Sequence, residues 1–426
     1  MRRVLIVATT TGYQTRSFGD AAERLGIDLV FATDRCAVLD DPWRDSAIPI
    51  RFHSPSASVE RIVAASRERR FDGVIAVGDR PAVLAALARE ALGVPGHPAE
   101  AADAARHKLM TRERLRDAGL PVPTFVVAPV ACDAEGLAER VPFPAVLKPV
   151  SLSGSRGVMR VNNTGELVQA LDRLRLLLAR PDIRTERDPA HDLLLLESFI
   201  EGHEFAVEGL MTDSVLQTLA IFDKPDPLDG PFFEETIYLT LADTRSDLGR
   251  RITDAVAAAA GAIGLRHGSI HAECRVNDRG VYVLEVAARP IGGLCARALN
   301  FQREGDAMRI SLEELLLRHA MGESSDLWRR EACASGVMMV PIPRRGIYRG
   351  VEGVEDARGV SGVEDVVITA KADQLLLPLP EGASYLGFIF ARDPEPSMVE
   401  HALREAFGRL VFTIDPELPV LQSRHG

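Results

Sequence analysis

The 426-residue chain predicts a protein of mixed α/β and α+β class: a parallel α/β unit, a middle region of strands and helices, and a β-rich tail. Three observations predict this. Strand and helix patterns alternate through the first hundred residues, as a parallel sheet requires. From Phe125 short strands gather around one loop of small residues. A long alternating stretch from Ser269 to Gly293 then reads as a hairpin.

The elements follow in order. Residues 4–8 form a buried strand whose apolar run is too short for a signal peptide or a membrane span. The loop at residues 9–15 carries Gly12. Residues 17–25 form a helix, 28–32 a strand, 59–69 a helix, 73–77 a strand and 82–92 a helix. No G-x-G-x-x-G follows the first strand, so this unit is not a dinucleotide site. Residues 101–118 read as one helix carrying Lys108, ended by Pro121 and Pro123. Residues 144–149 form a strand that includes Lys148, followed by the small-residue loop 151–157 and a strand at 158–161. A helix spans 165–179, and the polar stretch 185–191 reads as a surface loop. Strands at 193–197 and 204–211 flank the turn Glu201-Gly202. An Ala-rich helix at 250–263 precedes the hairpin, and a helix at 312–321 closes the middle region. The tail, from about 330, is β-rich with a helix near 398–407. In it Gly350-Val-Glu-Gly-Val-Glu-Asp356 nearly repeats as Gly359-Val-Ser-Gly-Val-Glu-Asp365, too few copies for a solenoid.

Composition limits the function classes. A net charge of −11 and a pI near 5.5 argue against a general binder of nucleic acid or anionic membrane. The cysteines (36, 132, 274, 295, 333) are odd in number and form no C-x-x-C. They imply reduced thiols in a cytoplasmic protein without a zinc site. Of 50 basic residues only Lys108, Lys148, Lys224 and Lys371 are lysine. A chain that so readily uses Arg keeps Lys where a compact point charge is needed, which nominates Lys108 and Lys148.

In the hairpin, a three-residue loop Asp278-Arg279-Gly280, with Gly280 in its left-handed position, pairs Asn277 with Val281 and sets Glu273 opposite Glu285. His271, Glu273, Arg275, Glu285 and Arg289 then share one face. Ile270, Ala272, Cys274, Val276, Tyr282, Leu284 and Val286 form the core face. Like charges directly opposite are destabilising unless a hard divalent cation sits between them. A four-residue loop would instead put the two glutamates on opposite faces of a solvated hairpin. Lys148 followed by Ser153-Gly154-Ser155-Arg156-Gly157 suits an anion, because small residues let backbone N–H groups close over phosphate oxygens. The same loop also fits an ordinary hairpin turn, and the P-loop spacing is absent.

The order of these parts, Lys108, Lys148 with its glycine loop, Leu196-Glu197-Ser-Phe-Ile-Glu-Gly-His-Glu204, then the glutamate hairpin and Arg289, resembles the ATP-grasp superfamily over about residues 1–320. The ending Glu285-Val-Ala-Ala-Arg-Pro-Ile-Gly-Gly293 and the β-rich tail look most like its L-amino-acid ligase branch, whose members form carboxylate–amine bonds. The resemblance implies a pre-ATP-grasp α/β domain (1–100), a two-subdomain ATP-grasp domain (101–325, with a small ATP lid at about 124–200) and a β-rich C-terminal domain (326–426).

The resemblance also implies roles. Lys108 and Lys148 hold ATP phosphates, with Ser153, Gly154, Ser155 and Gly157 over them. Glu197, Ser198, Phe199 and Ile200 form the adenine hinge, and Glu204 accepts from the ribose hydroxyls. Glu273 and Glu285 hold Mg²⁺, for which Mn²⁺ can substitute. Arg289 binds the carboxylate substrate, with the amides of Gly292 and Gly293 near the developing oxyanion. Ala287 departs from the Asn found there in many ATP-grasp enzymes, which puts the number of metal ions in doubt. His271 reads as a hydrogen-bonded histidine more than as a base. His203 has no assigned role, and Glu234-Glu235 is a candidate to meet a substrate amine. The implied partners are a small carboxylate and an amine, both amino acids, with no nucleic acid and no membrane; the resemblance admits a homodimer. Two other readings fit the same parts: a bicarbonate-using ATP-grasp carboxylase and a non-catalytic nucleotide-binding module.

Overall fold

A computed structural model describes residues 1–9, 14–34, 47–306 and 308–417. Gly12 and Cys36 lie outside the described residues. The first unit comprises β1 (Arg3–Ala8), α1 (Thr15–Leu25), β2 (Asp28–Thr33), β3 (Ile48–Pro49), α2 (Pro55–Glu68), β4 (Gly73–Val77) and α3 (Asp79–Leu92). Its strands pair in parallel in the order β3-β2-β1-β4. Helices cover both faces, so β4 is buried throughout and β1 everywhere but Arg3.

The predicted long helix through Lys108 is two helices, α4 (Ala99–Arg106) and α5 (Lys108–Asp117). His107 between them is extended, and its imidazole accepts from the Met110 N–H at 3.4 Å. An N-capping side chain competes with helix continuation. The break makes Lys108 the first residue of α5, where its backbone N–H donates to Val150 at 3.0 Å.

The small subdomain contains β5 (Phe125–Pro129), α6 (Ala134–Ala138), β6 (Ala145–Pro149), β7 (Met159–Val161), α7 (Thr164–Leu178), α8 (Pro181–Arg184) and β8 (Leu193–Ser198). Its strands run antiparallel in the order β5-β8-β6-β7. Leu167, Leu171, Leu174, Leu177 and Leu178 of α7 fill its core. The stretch expected as a surface loop at 185–191 ends in a buried His191, which hydrogen-bonds Ser151 at 3.3 Å and Glu186 at 3.1 Å. Thr185, Arg187 and Pro189 of this stretch are exposed, as a surface loop requires, and only its end turns inward.

The remaining chain gives β9 (His203–Thr212), β10 (Val215–Asp223), β11 (Ile237–Thr240), α9 (Asp247–Ile263), β12 (Gly268–Asn277), β13 (Gly280–Ala287), β14 (Asn300–Arg303), β15 (Arg309–Ser311), α10 (Leu312–Ala320), β16 (Trp328–Arg330) and β17 (Ala334–Val340). After them come β18 (Gly346–Glu352), α11 (Val354–Arg358), β19 (Val363–Ile368), β20 (Leu375–Leu376), β21 (Gly387–Asp393), α12 (Pro396–Gly408) and β22 (Val411–Asp415). Eight of these strands form one antiparallel sheet in the order β13-β12-β9-β10-β11-β17-β21-β19. It takes strands from both sides of residue 326, joined where β11 pairs with β17. The near-repeated sequence has no structural counterpart: its first copy runs from β18 into α11, its second from a turn into β19. Among the described residues no helix is long and apolar enough to cross a membrane.

One buried histidine ties the first unit to this sheet. His97 accepts from the Arg266 N–H through Nδ1 and contacts the Ser269 carbonyl through Nε2, both at 3.1 Å. An Nδ1 that accepts leaves Nε2 to donate, so the ring is neutral. Burial, reinforced by Arg89, pulls His97 down to about 3. A His with a depressed pKa contributes stability that is lost as pH falls from its unfolded value, about 6.5, toward 3. Stability to urea should therefore drop between pH 7 and pH 5, and His97→Gln should flatten that slope while lowering the pH 7 value. Equal slopes for the two proteins would show that His97 does not set the acid limit.

Candidate functional site

A cavity of about 320 Å³ opens between the small subdomain and the large sheet. Every unit of the fold supplies part of its wall: Asp79 from the first, Lys148 and Ser153 to Ser155 from the small subdomain, Glu273 and Glu285 from the hairpin, and Met339 and Tyr385 from the tail. Of the residues singled out in the sequence, Lys108, Lys148, Ser153, Gly154, Ser155, Glu197, Ser198, Phe199, Ile200, Glu204, Glu273, Glu285, Arg289, Gly292 and Gly293 line it. Gly157 does not. It has a φ of +75°, and a Cβ there would come within 3.1 Å of Leu177, Leu174 and Pro149, so it shapes the loop from behind.

Glu273 faces Glu285, but not through the expected turn. Asn277 pairs with Gly280, which makes the loop two residues, Asp278-Arg279. The lost residue returns as a bulge, where Cys274 pairs with Val283 and Glu273 with Glu285. Gly280, at φ +136°, is outside the left-handed helical well. A bulge reverses which side chains face inward beyond it. Val281 and Val283 therefore join the core, while Tyr282 and Leu284, expected there, turn outward, and Leu284 meets the cavity.

Most cations of the site are held by acids, some of them shared. Lys224, which no motif in the sequence marks, is only 3 % exposed. Its Nζ reaches Glu204 at 2.9 Å, Glu235 at 2.5 Å and Glu273 at 2.9 Å. The Tyr238 hydroxyl donates to Glu273 at 3.1 Å. The oxygens of Glu204, Glu235 and Glu273 lie within 4.8 Å of one another, a spacing that suits a metal, but the lysine ammonium already occupies the middle. Lys224 is one of four lysines in the chain, so the scarcity that nominated Lys108 and Lys148 pointed to it as well.

Glu204 is buried. It accepts from Lys224 through one oxygen and from Arg275 Nε, at 2.9 Å, through the other. Arg275 also donates to the Ile200 carbonyl at 2.7 Å and lies over the rings of Phe199 and Phe233. Lys148 Nζ donates to Glu197 at 2.5 Å, and Arg112 Nε donates to the same carboxylate at 2.6 Å. Burial alone would push Glu197 up; the two cations reverse this and hold it at about 2. Arg112 also donates to the carbonyls of Val283 at 3.2 Å and Leu284 at 2.8 Å, at the bulge just before Glu285. Lys108 Nζ donates to the Leu152 carbonyl.

Arg289 lines the cavity with the two glutamates, and its fork grips Asp79, at 2.9 and 3.0 Å. Asp79 opens α3 of the first unit, and no local pattern in the sequence marked it. His271 contacts Glu208 through Nδ1 at 3.2 Å. Burial lowers its affinity for a proton, but hydrogen bonds to Glu208 and Glu273 raise it further, to about 9. His203, which the sequence left without a role, contacts Asp223 at the edge of β9.

Glu285 stands apart: among the described residues no hydrogen bond or ion pair reaches its carboxylate. Burial and then the charge of Glu273 push its pKa upward. Burial and Glu273 likewise push Glu235 up to about 8. The cavity thus holds one carboxylate in need of a cation, next to another that shares one. The lysine at the centre is stabilising for the same reason. Removing one partner of a buried charge cluster costs roughly 3–5 kcal/mol. Lys224→Met should lower the urea-unfolding free energy at pH 7 by about that amount. A loss below about 1 kcal/mol would show that water and the other cations neutralise the three acids without it.

Comparison with known proteins gives the same outline. Family models match residues 19–96 (ATP-grasp N-terminal domain), 141–298 (ATP-grasp domain) and 338–415 (L-amino acid ligase C-terminal domain 2). A crystal structure of an L-amino acid ligase from Bacillus licheniformis is 26 % identical and superposes with a TM-score of 0.81, covering 97 % of this chain and 99 % of that one. An alanine–anticapsin ligase of Bacillus subtilis is 25 % identical over 250 residues, 55 % of this chain and 52 % of that protein. A D-alanine–D-alanine ligase of Ralstonia pickettii is 26 % identical over 247 residues, 56 % of this chain and 70 % of that protein. With an N-terminal domain, a nucleotide-binding core and a C-terminal unit all matched in order, the chain belongs to the ATP-grasp superfamily, in its L-amino-acid ligase branch, and is an ATP-dependent ligase that forms carbon–nitrogen bonds.

Proposed function

We propose that the protein joins the carboxyl group of one amino acid to the amine of another through an acyl phosphate, converting ATP to ADP and phosphate. The observation that carries this reading is Glu285, unpaired among the described residues, directly across the strands from Glu273, with Arg289 four residues on and clamped by Asp79. Two facing carboxylates, one without a partner, are a hard-oxygen donor set that fits Mg²⁺. Bound there, Mg²⁺ would neutralise charge on the ATP phosphates. Ala287 offers no oxygen, so a second ion would depend on water and substrate.

The chain's own residues do the rest. Lys108 and Lys148 take phosphate oxygens as point charges, Lys148 leaving part of its hold on Glu197, and the amides of Ser153, Gly154 and Ser155, which line the cavity, close over them. Residues 197–200 line the adenine, with Phe199 at its face. Each oxygen of Glu204 keeps a lone pair for the ribose hydroxyls. Arg289, its fork fixed by Asp79, orients the substrate carboxylate toward the γ-phosphate; positioning and electrostatics dominate such transfers. A carboxylate oxygen attacks phosphorus and ADP leaves. The amine nitrogen then attacks the acyl carbon near the amides of Gly292 and Gly293, the C–O bond breaks, phosphate departs and the amine proton passes to water. Glu235, which lines the cavity, is the candidate to meet the amine. The reduced cysteines and the need for ATP suit the cytoplasm.

Two measurements test the reading. Glu285→Gln should cut turnover and shift its Mg²⁺ dependence while leaving folding intact, because it removes one of two repelling charges. Wild-type kcat with an unchanged Mg²⁺ profile would remove the metal assignment. With an ¹⁸O-labelled carboxylate substrate, label should appear in inorganic phosphate with ADP as co-product. Labelled AMP with pyrophosphate would eliminate the acyl-phosphate route, and unlabelled phosphate would point to ATP hydrolysis or to a bicarbonate-using reaction.

A further inference from the structure

The small subdomain carries the phosphate loop, yet its sheet is separate from the large one. A loop of the tail, residues 377–383 between β20 and β21, reaches across to it. The Gly157 N–H donates to the Pro380 carbonyl at 2.8 Å. Arg156 Nε donates to the Glu381 carbonyl at 3.0 Å. Arg173, on α7 behind the loop, grips the Glu381 carboxylate with both arms of its fork, Nη2 at 2.8 Å from Oε2 and Nε on Oε1. Ala383 stands 3.6 Å from where a Cβ of Gly154 would lie. Ala383 is also part of the cavity wall.

This loop is stiff. The Gly382 N–H donates back to the Pro378 carbonyl at 2.9 Å. A Cβ on Gly382 would lie 1.8 Å from the Leu377 carbonyl oxygen, so only glycine fits the turn. Two prolines restrict it further. A rigid finger that bonds the front of the phosphate loop and the helix behind it has a mechanical use. On the reading proposed above the loop at 153–157 covers the nucleotide, and each passage of nucleotide would then break and re-form the bonds to Pro380 and Glu381. The Arg173–Glu381 pair suits that duty. Bidentate geometry makes it directional, and partial exposure of both side chains, 42 % and 28 %, makes it easy to break.

We propose that Glu381 is a positioning residue: it is the catch by which the C-terminal unit holds the phosphate loop closed over the cavity while the acyl phosphate awaits its amine. The proposal rests on the acyl-phosphate reading. Without the catch the lid opens early, water enters, and the acyl phosphate is hydrolysed at its P–O or C–O bond to carboxylate and phosphate.

The test uses the full chain with Glu381→Ala, Arg173→Met and the double variant. Met retains an apolar stem over Phe232, which Arg173 covers. Two readouts are taken: ADP released per amide formed, and the dissociation rate of a fluorescent ATP analogue. Each single variant should raise both about three- to tenfold. The double variant should be no worse than either single, because both remove the same bond. A structural lesion elsewhere would lower activity without changing the ADP-to-amide ratio. Wild-type values of both readouts in the single variants would overturn the catch, and so would single effects that multiply in the double. Should the wild type release ADP yet form no amide, the acyl-transfer reading fails. The dissociation rates then decide the catch alone, since they need only nucleotide binding.

Discussion

The site is organised around a repulsion. Glu273 and Glu285 face each other across two paired strands, and the chain settles the imbalance on one side only. Glu273 has Lys224 and Tyr238, and Glu285 has neither. Around them, each remaining carboxylate on the cavity wall is matched: Asp79 with Arg289, Glu197 with Lys148 and Arg112, and Glu204 and Glu235 with Lys224. In a site where charges are this closely paired, an arriving cation is attracted by the one carboxylate left over. An arriving anion must compete for the lysines that the acids already hold. That competition keeps the empty cavity stable without locking it, since every pair can exchange a protein partner for a ligand.

The ion pairs also join separately folded parts. Asp79 lies at the start of a helix in the parallel unit, and Arg289 follows the last strand of the hairpin. Arg112 connects the small subdomain's Glu197 to the backbone of β13. Each such bond forms only when two units meet correctly, so the site reports on the assembly of the whole chain. A core mutation far away could thus loosen it by shifting one unit against another.

How much of this the sequence carried depended on how local the signal was. The parallel strands and the facing glutamates are short-range patterns, and period-two alternation was enough to reach them; the loop at 151–157 was legible from its run of small residues. The turn was misjudged because a three-residue loop and a two-residue loop with a bulge give the same Glu273–Glu285 pairing. They differ only in the far half of β13, where Val281, Tyr282, Val283 and Leu284 are too alike in polarity to choose. The break at His107 was hidden because Ala-rich and Arg-rich segments on both sides favour helix, and only the capping imidazole ends the first one. Lys224 was available from composition and was overlooked for want of a motif around it. Asp79 was not accessible at all, because its partner lies 210 residues away.

The bulge in β13 separates two tolerances to change in chain length. A residue gained or lost in the turn at Asp278-Arg279 can be absorbed where the ladder is already irregular, ahead of the paired glutamates. A residue gained or lost between Glu285 and Arg289 has no such slack. It would move the arginine away from Asp79, or the carboxylate away from its opposite. The fold therefore leaves the length of the hairpin tip free and fixes the count of residues through the stretch that follows it.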